Sequence, residues 1–177
     1  LALAGVPAGA TTTPAPSVRL VQTSHRATVI THLWGDTTWT ETNFGLYVEA
    51  RGARLDIRVK RTWSNLPITA TATLGDRTRT IPSWLLDGWN GLRNAFEITW
   101  RTPSGELISQ AKQDWCPNRG SESRLSPGAS ETTAFSWTCG THPFTRGMRW
   151  GVDRDWARRL FDFETIEVPS GYTGTEA

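Results

Sequence analysis

Three segments of the chain alternate strictly between apolar and polar side chains. Residues 55–59, 68–74 and 96–101 each place an apolar residue at every second position. This period of two is typical of half-buried strands in antiparallel sheets, because successive side chains of a strand point to opposite faces. We therefore predict that sheets with one solvent-facing side dominate the fold.

Shorter apolar runs predict further strands, and a turn sequence predicts one hairpin. The additional strands are expected at residues 18–22, 28–33, 44–49, 107–113, 135–139, 148–152 and 163–168. The sequence Thr102-Pro103-Ser104-Gly105-Glu106 favours a tight turn, because Pro presets φ and Gly tolerates the turn conformation. Residues 95–102 and 107–113 should accordingly pair as a hairpin.

Helical signals are few. Residues 153–160 begin with acidic side chains and end with Arg, as the helix dipole favours, so one or two helical turns are expected there. Another turn is expected over Ser83 to Trp89. Many short strands with little helix predict an all-β fold, an antiparallel β-sandwich of the immunoglobulin or fibronectin type.

The front of the chain indicates export. Residues 1–10 form an apolar run that ends in Ala8-Gly9-Ala10, a pattern typical of a signal-peptide cleavage site. We interpret residues 1–10 as a signal-peptide remnant, 11–17 as a disordered mature N-terminus and 18–177 as a single β-sandwich domain. A plain disordered terminus is the alternative interpretation of the front segment.

The end of the chain predicts an interrupted sandwich. Val168-Pro169-Ser170-Gly171-Tyr172-Thr173 is similar to the approach to a tyrosine corner, in which a structural Tyr bonds back to the upstream backbone. Only five residues follow Tyr172. We therefore expect a sandwich truncated at its C-terminus, with a short final edge strand as the alternative.

Composition and charge limit the classes of protein to which the chain can belong. The chain has 177 residues, of which 37% are hydrophobic and 20% charged, which suits one folded domain and argues against a disordered chain. The sequence pI is about 8.8, but Arg and acidic residues alternate along most of the chain, so we predict a mixed surface and no nucleic-acid partner. No apolar run approaches the ~20 residues that a membrane-spanning helix needs.

Cys116 and Cys139 are the only two cysteines. In an exported protein an isolated pair favours a disulfide, whereas a structural metal site usually needs four ligands. We predict one disulfide, which would close the polar segment 117–138, and an extracellular location.

No catalytic constellation is evident. His25, His32 and His142 stand apart without metal-ligand spacing, and no Gly-x-Ser-x-Gly motif is present. Asp153 and Asp155 lie two apart, as a glycosidase pair could, but beside Trp156 they are better interpreted as helix-start and surface charges. We therefore predict no catalytic residue, no metal ligand and no cofactor in this chain.

The ten tryptophans divide into two groups. Trp100, Trp137 and Trp150 fall on alternating apolar faces and are predicted to be structural core residues. The others of interest lie beside polar or Pro/Gly-bounded stretches, where aromatic faces can stack on sugar rings or on a partner protein. These candidate ligand-binding residues are Trp34, Trp39, Trp84 and Trp89. The alternative is that they cover the ends of the sandwich.

Two segments carry a family resemblance. The sequence Trp115-Cys116-Pro117-Asn118 and residues 139–157, with the pattern Cys-Gly-Thr-His-Pro-Phe-Thr-Arg-Gly-Met-Arg-Trp-Gly, resemble the N-terminal region of secreted bacterial lysyl-oxidase-like proteins. Residues 169–173 and, more weakly, 81–96 add to the likeness. In that family a later domain oxidises primary amines with copper and a tyrosine-derived quinone, and its histidine-rich copper motif is not found in this sequence.

The resemblance implies an exported β-sandwich accessory module that orients or targets a downstream copper amine oxidase domain of the same parent chain. Copper and the quinone cofactor would belong to that domain. The alternative function is a carbohydrate- or cell-wall-binding module that uses exposed Trp, with an extracellular polysaccharide or protein as partner. A complete enzyme with a scattered site is the third hypothesis.

Overall fold

The computed structural model describes residues 15–23, 28–34, 37–43, 45–140, 143–160 and 164–166, with backbone alone for 28–34, 37–43 and 164–166. The described part is nearly all β, as predicted, and its sheets are antiparallel. The strands are β1 Ser17–Gln22, β2 Thr28–Trp34, β3 Thr37–Asn43, β4 Leu46–Arg51, β5 Leu55–Lys60, β6 Thr69–Leu74, β7 Arg77–Ile81, β8 Leu92–Arg101, β9 Leu107–Trp115, β10 Glu122–Arg124, β11 Gly147–Val152, β12 Trp156–Arg159 and β13 Glu164–Ile166. A 3₁₀ turn at Ser83–Leu85 confirms the turn expected after Ile81.

The strands form two four-stranded sheets, a hairpin and a three-stranded ribbon. The first sheet has the order β1-β4-β12-β10, and the second has the order β11-β5-β6-β7. Strands β8 and β9 form the predicted hairpin, and the ribbon has the order β13-β3-β2. Strand β12 pairs with β4, and strand β13 pairs with β3, in the same antiparallel register.

The core lies against the apolar faces that the alternating pattern predicts. In the second sheet Trp150 pairs with Ile57, and Ile57 pairs with Ala72, so apolar side chains share one face. A first core cluster consists of Ile57, Val59, Ala70, Leu86, Cys139 and Trp150. A fully buried Ile or Val contributes about 1.5–3 kcal/mol relative to an exposed one, so this face stabilises the sheet strongly.

A second core cluster joins the first sheet to β11 and to the β8–β9 hairpin. It consists of Val48, Ala50, Trp115, Val152 and Leu160. The rings of Phe96 and Trp115 meet edge to face with centroids 5.6 Å apart. These contacts hold the hairpin against the sandwich and complete the described core.

The predicted helix at residues 153–160 is wrong. Residues 156–159 form β12, which pairs with β4, and Asp155 has φ 60°, outside the right-handed helical region. Asp153 is buried rather than a surface charge, and its carboxylate accepts from the backbone N–H of Ala134 at 2.6 Å. The acidic residues therefore form a turn, because Asp tolerates the left-handed conformation and bonds nearby N–H groups.

The predicted strand at residues 135–139 is also wrong, because this segment consists of bends. Its backbone N–H groups find local acceptors instead of a sheet partner. Phe135 donates to the hydroxyl of Thr133, and Gly140 donates to the hydroxyl of Thr138. Such side-chain acceptors compete with a β-ladder, and the predicted alternation therefore does not produce a strand here.

Several expectations for the chain ends fall on residues that the structure does not describe. They concern the signal-peptide remnant at 1–10, most of the terminus at 11–17 and the structural role of Tyr172. His25 and His142 likewise lie outside the described residues, and only the backbone of His32 is described.

Candidate functional site

Three loops meet at one end of the second sheet. Lys60, the last residue of β5, pairs with both Gly147 and Thr69, and Ile81 at the end of β7 pairs with Ala70. The loops 61–68, 82–91 and 143–146 start or finish at these strand ends, so the antiparallel ladder brings them together. We call this surface, formed by the side chains of the three loops, the aromatic end.

The aromatic end exposes large apolar side chains to solvent. The exposed fractions are 62% for Trp63, 71% for Trp84 and 73% for Phe144, and Leu66 is also exposed. Single exposed apolar residues are normal on a protein surface, but a group of large ones on neighbouring loops marks an interaction site. Sequence alternation does not explain these residues, because they lie outside the strands.

Arg61 holds two of the loops together. Its guanidinium donates to the carbonyl oxygens of Ser64 at 2.7 Å and Thr145 at 2.9 Å, and also to that of Pro143. The same group lies over the Trp89 ring, with Cζ 5.4 Å from the centroid. A planar guanidinium can donate several hydrogen bonds at once, so one side chain fixes loops that are distant in sequence.

Arg146 lies over Trp63, with Cζ 5.5 Å from the ring centroid. Arg146 is exposed, and the ion pairs among the described residues do not include it. A cation over an aromatic face stabilises both side chains by about 0.5–1 kcal/mol when exposed. The pair thus presents a fixed aromatic ring beside an available positive charge.

The four tryptophans predicted to bind ligand are not brought together. Trp84 lies at the aromatic end and is exposed, whereas Trp89 lies in the same loop but is half-buried against the first core cluster. Trp34 and Trp39 belong to the β2–β3 ribbon, where Trp39 pairs in register with His32. The side chains of Trp34 and Trp39 lie outside the described residues.

The structural tryptophans also divide. Trp150 is completely buried and Trp100 is half-buried. The prediction that Trp137 lies in the core is wrong, because 87% of it is exposed. The segment around Trp137 forms no strand, and its alternating pattern therefore does not place Trp137 on a buried face.

Sequence reasoning missed Trp63, Leu66, Phe144 and Arg146. Trp63 is followed by Ser64-Asn65-Leu66-Pro67, a run rich in turn residues. The criterion applied to Trp84, an aromatic residue in a loop bounded by turn residues, would have selected Trp63 as well. Phe144 and Arg146 carry no such signal, and only the fold places Arg146 over Trp63.

The predicted disulfide is confirmed, and it anchors a loop in the core next to the strand that follows the aromatic end. Cys116 and Cys139 are bonded, with 5.7 Å between their Cα atoms, and Cys139 belongs to the first core cluster. Pro117 and Asn118, which directly follow Cys116, are completely buried. The disulfide loop is therefore anchored in the core and supports β11, which leads out of the aromatic end.

Comparisons with protein-family models, with curated proteins and with solved structures gave no match. Across the described ranges no group of three or more His, Cys, Asp or Glu side chains is arranged to hold a metal ion. In the same ranges no helix is long and apolar enough to cross a membrane.

Proposed function

We propose that this chain is an exported, non-catalytic binding module that holds carbohydrate at its aromatic end. The observation that carries the proposal is the pair Trp63 and Arg146, displayed next to the exposed Phe144 on loops that Arg61 fixes. Binding residues are commonly placed on loops that a rigid scaffold positions. The disulfide agrees with an oxidising compartment, where cell-surface and extracellular polysaccharides occur.

The chemistry of the aromatic end suits sugar rings. A pyranose ring presents a face of C–H groups, which packs against the flat apolar face of Trp, and its hydroxyls accept hydrogen bonds from Arg. The Arg146 guanidinium lies over the Trp63 ring, and the Trp63 side chain remains exposed to solvent. Trp84 adds a second exposed ring on the neighbouring loop. A chain of sugar units can therefore contact both loops.

Substitution of exposed tryptophans tests the proposal. Binding of the intact chain to a panel of soluble polysaccharides is measured by isothermal titration calorimetry and by Trp fluorescence. We expect Trp63→Ala to weaken binding at least tenfold, which corresponds to about 1.4 kcal/mol. Trp84→Ala should weaken it by a smaller factor.

Trp137→Ala is the matched control, because Trp137 is more exposed than Trp63 and Trp84 but lies outside the three loops. It should leave the affinity unchanged. Absence of binding across the panel, or an equal loss in Trp137→Ala and Trp63→Ala, would contradict the proposal.

An accessory role beside a lysyl-oxidase-like catalytic domain is the second candidate. Two residues that carry the resemblance to lysyl-oxidase-like proteins have structural contacts. Cys116 is disulfide-bonded, and Asn118 is buried and hydrogen-bonded to β11. These positions thus serve the architecture of such a module rather than catalysis. A histidine-rich copper motif in the parent reading frame after Ala177 would support this role, and copper-dependent amine oxidation by the present chain would contradict it.

A further inference from the structure

The solvent-facing side of the second sheet carries an excess of positive charge. Arg58 of β5 and Arg149 of β11 are directly opposite each other in the ladder, and Lys60 lies two residues further along β5 on the same face. The only carboxylate in these rows is Asp56, which lies 2.7 Å from Arg149 and 3.7 Å from Arg58. The hydrogen bond to Asp56 raises the pKa of Arg149, and the nearby Asp153 carboxylate adds to that effect, so two carboxylates act on these three cations.

This arrangement is not what stability alone would select. Like charges directly opposite in a sheet repel each other, and here two hydrogen bonds to Asp56 stabilise Arg149, so the surplus charge lies on Arg58 and Lys60. Arg58 has a side chain that is 72% exposed, so it contributes little to the core. A charge excess that the fold does not require points to a partner of opposite charge.

Threonines continue the same rows across the sheet. Arg58 pairs with Thr71, and Thr71 pairs with Thr80, so the cations face a hydroxyl-bearing surface. The threonines of this side are Thr69, Thr71, Thr73, Thr78 and Thr80. They are exposed or half-buried, and their short side chains leave a level surface. Buried Phe135, below the Arg149 guanidinium, bounds this surface on the β11 side.

The basic surface continues into the aromatic end. Lys60 immediately precedes the loop that carries Trp63, and Gly147, its partner in the ladder, immediately follows Arg146. We call the surface formed by Arg58, Lys60, Arg149 and the five threonines the basic face. A polymer bound on Trp63 can therefore extend directly onto the basic face, because the two surfaces are adjacent.

We infer that the ligand is an acidic polysaccharide, whose carboxylates bind the cations of the basic face while one sugar ring stacks on Trp63. This inference rests on the proposed function and specifies its substrate class. Arg forms paired hydrogen bonds with carboxylates, and threonine hydroxyls can donate to and accept from sugar hydroxyls. A polysaccharide is favoured over nucleic acid because the basic face provides hydroxyls rather than stacking rings for successive bases.

The test uses one polymer in two charge states. Binding of the intact chain to polygalacturonate is compared with binding to its fully methyl-esterified form, which has the same backbone without the negative charge. We expect at least tenfold tighter binding to the acid form. That preference should shrink as salt rises from low to physiological concentration, because salt screens exposed charges.

The double variant Arg58→Gln/Lys60→Gln should lose at least tenfold in affinity for polygalacturonate. Arg19→Gln/Arg119→Gln is the matched control, since it removes the same charge from exposed positions outside the basic face. Far-UV circular dichroism and urea unfolding verify that both variants fold.

The outcomes separate the inference from the proposed function. Equal affinity for the acid and esterified polymers, with Trp63→Ala still weakening both, would overturn the acidic ligand and retain the carbohydrate site. Equal loss in the two double variants would also overturn it. Binding of single-stranded DNA as tight as that of polygalacturonate would assign the basic face to polyanions in general and overturn the inference. Failure of both polymers to bind would overturn both proposals.

Discussion

The backbone N–H of Gly151 donates to the side-chain oxygen of Asn118 at 3.0 Å in the interior of the protein. The amide nitrogen of Asn118 in turn donates to the carbonyl of Arg149 at 3.0 Å. Strand β11 is at the edge of its sheet, so these two groups have no strand beside them. One asparagine therefore replaces a neighbouring strand, and it ties the disulfide loop to the sheet that carries the basic face.

Asn118→Asp should destabilise the protein by about 2–4 kcal/mol, because a carboxylate at this site would be desolvated and would face carbonyl oxygens instead of donating to them. Asn118 is fully buried, and its nitrogen also contacts the carbonyl of Thr138 at 3.2 Å. Urea unfolding followed by circular dichroism measures the loss. The exposed Asn65→Asp is the control and should change the free energy of unfolding by less than about 0.5 kcal/mol. Equal stability of the two variants would contradict the role of Asn118.

Glu122→Gln should destabilise the protein by about 3 kcal/mol, because it removes the ion-pair partner of the buried guanidinium of Arg158. Arg158 is 1% exposed, and its ion pair with Glu122 measures 2.8 Å. Burial lowers the pKa of Arg158, and the neighbouring Glu122 carboxylate partly opposes that effect. Thermal and urea unfolding measure the change.

The control for Glu122 is Glu131→Gln, which removes an exposed carboxylate and should have almost no effect. The double variant Arg158→Met/Glu122→Leu should recover most of the loss, since a well-packed apolar pair avoids the desolvation of both charges. A double variant less stable than Glu122→Gln alone would contradict this account.

Arg61→Lys should loosen the aromatic end at a cost of about 1–2 kcal/mol, because an ammonium group keeps the charge but cannot reproduce the fork of hydrogen bonds to three carbonyls. Hydrogen exchange of the Leu66 amide, which donates to the Trp63 carbonyl at 3.1 Å, reports on the loop directly. We expect faster exchange there and weaker polysaccharide binding. Arg101→Lys is the control, since Arg101 makes a single hydrogen bond to the Gly105 carbonyl. Unchanged exchange at Leu66 would show that Arg61 does not hold the loop.

Local patterns predicted much of the fold. The alternation at residues 55–59 and 68–74 anticipates β5 and β6, and the Pro103–Gly105 turn anticipates the β8–β9 hairpin. Four strands, β3, β7, β10 and β12, were not predicted. Strands β3, β7 and β10 contain at most one apolar residue each, and in β12 the charged Arg158 is opposite Val48 and buried with it, so none of the four shows the expected alternation.

The candidate site was predicted less completely. Trp84, a predicted ligand-binding residue, is exposed in its loop, whereas Trp137 was assigned to the core through a strand that does not form. The alternating charges along the sequence indicated a mixed surface. The ladder between β5 and β11 instead gathers Arg58, Lys60 and Arg149 on one face.

The sequence by itself determined the features that depend on neighbouring residues or on a unique pair. These are the period-two strands, the hairpin turn and the Cys116–Cys139 disulfide, for which no other cysteine competes. Only the tertiary structure decided that Arg58 lies opposite Arg149, that Asn118 completes the edge of β11 and that Arg146 covers Trp63. The physical reason is that these relationships depend on the register of strands distant in the chain, which core packing sets and local composition does not.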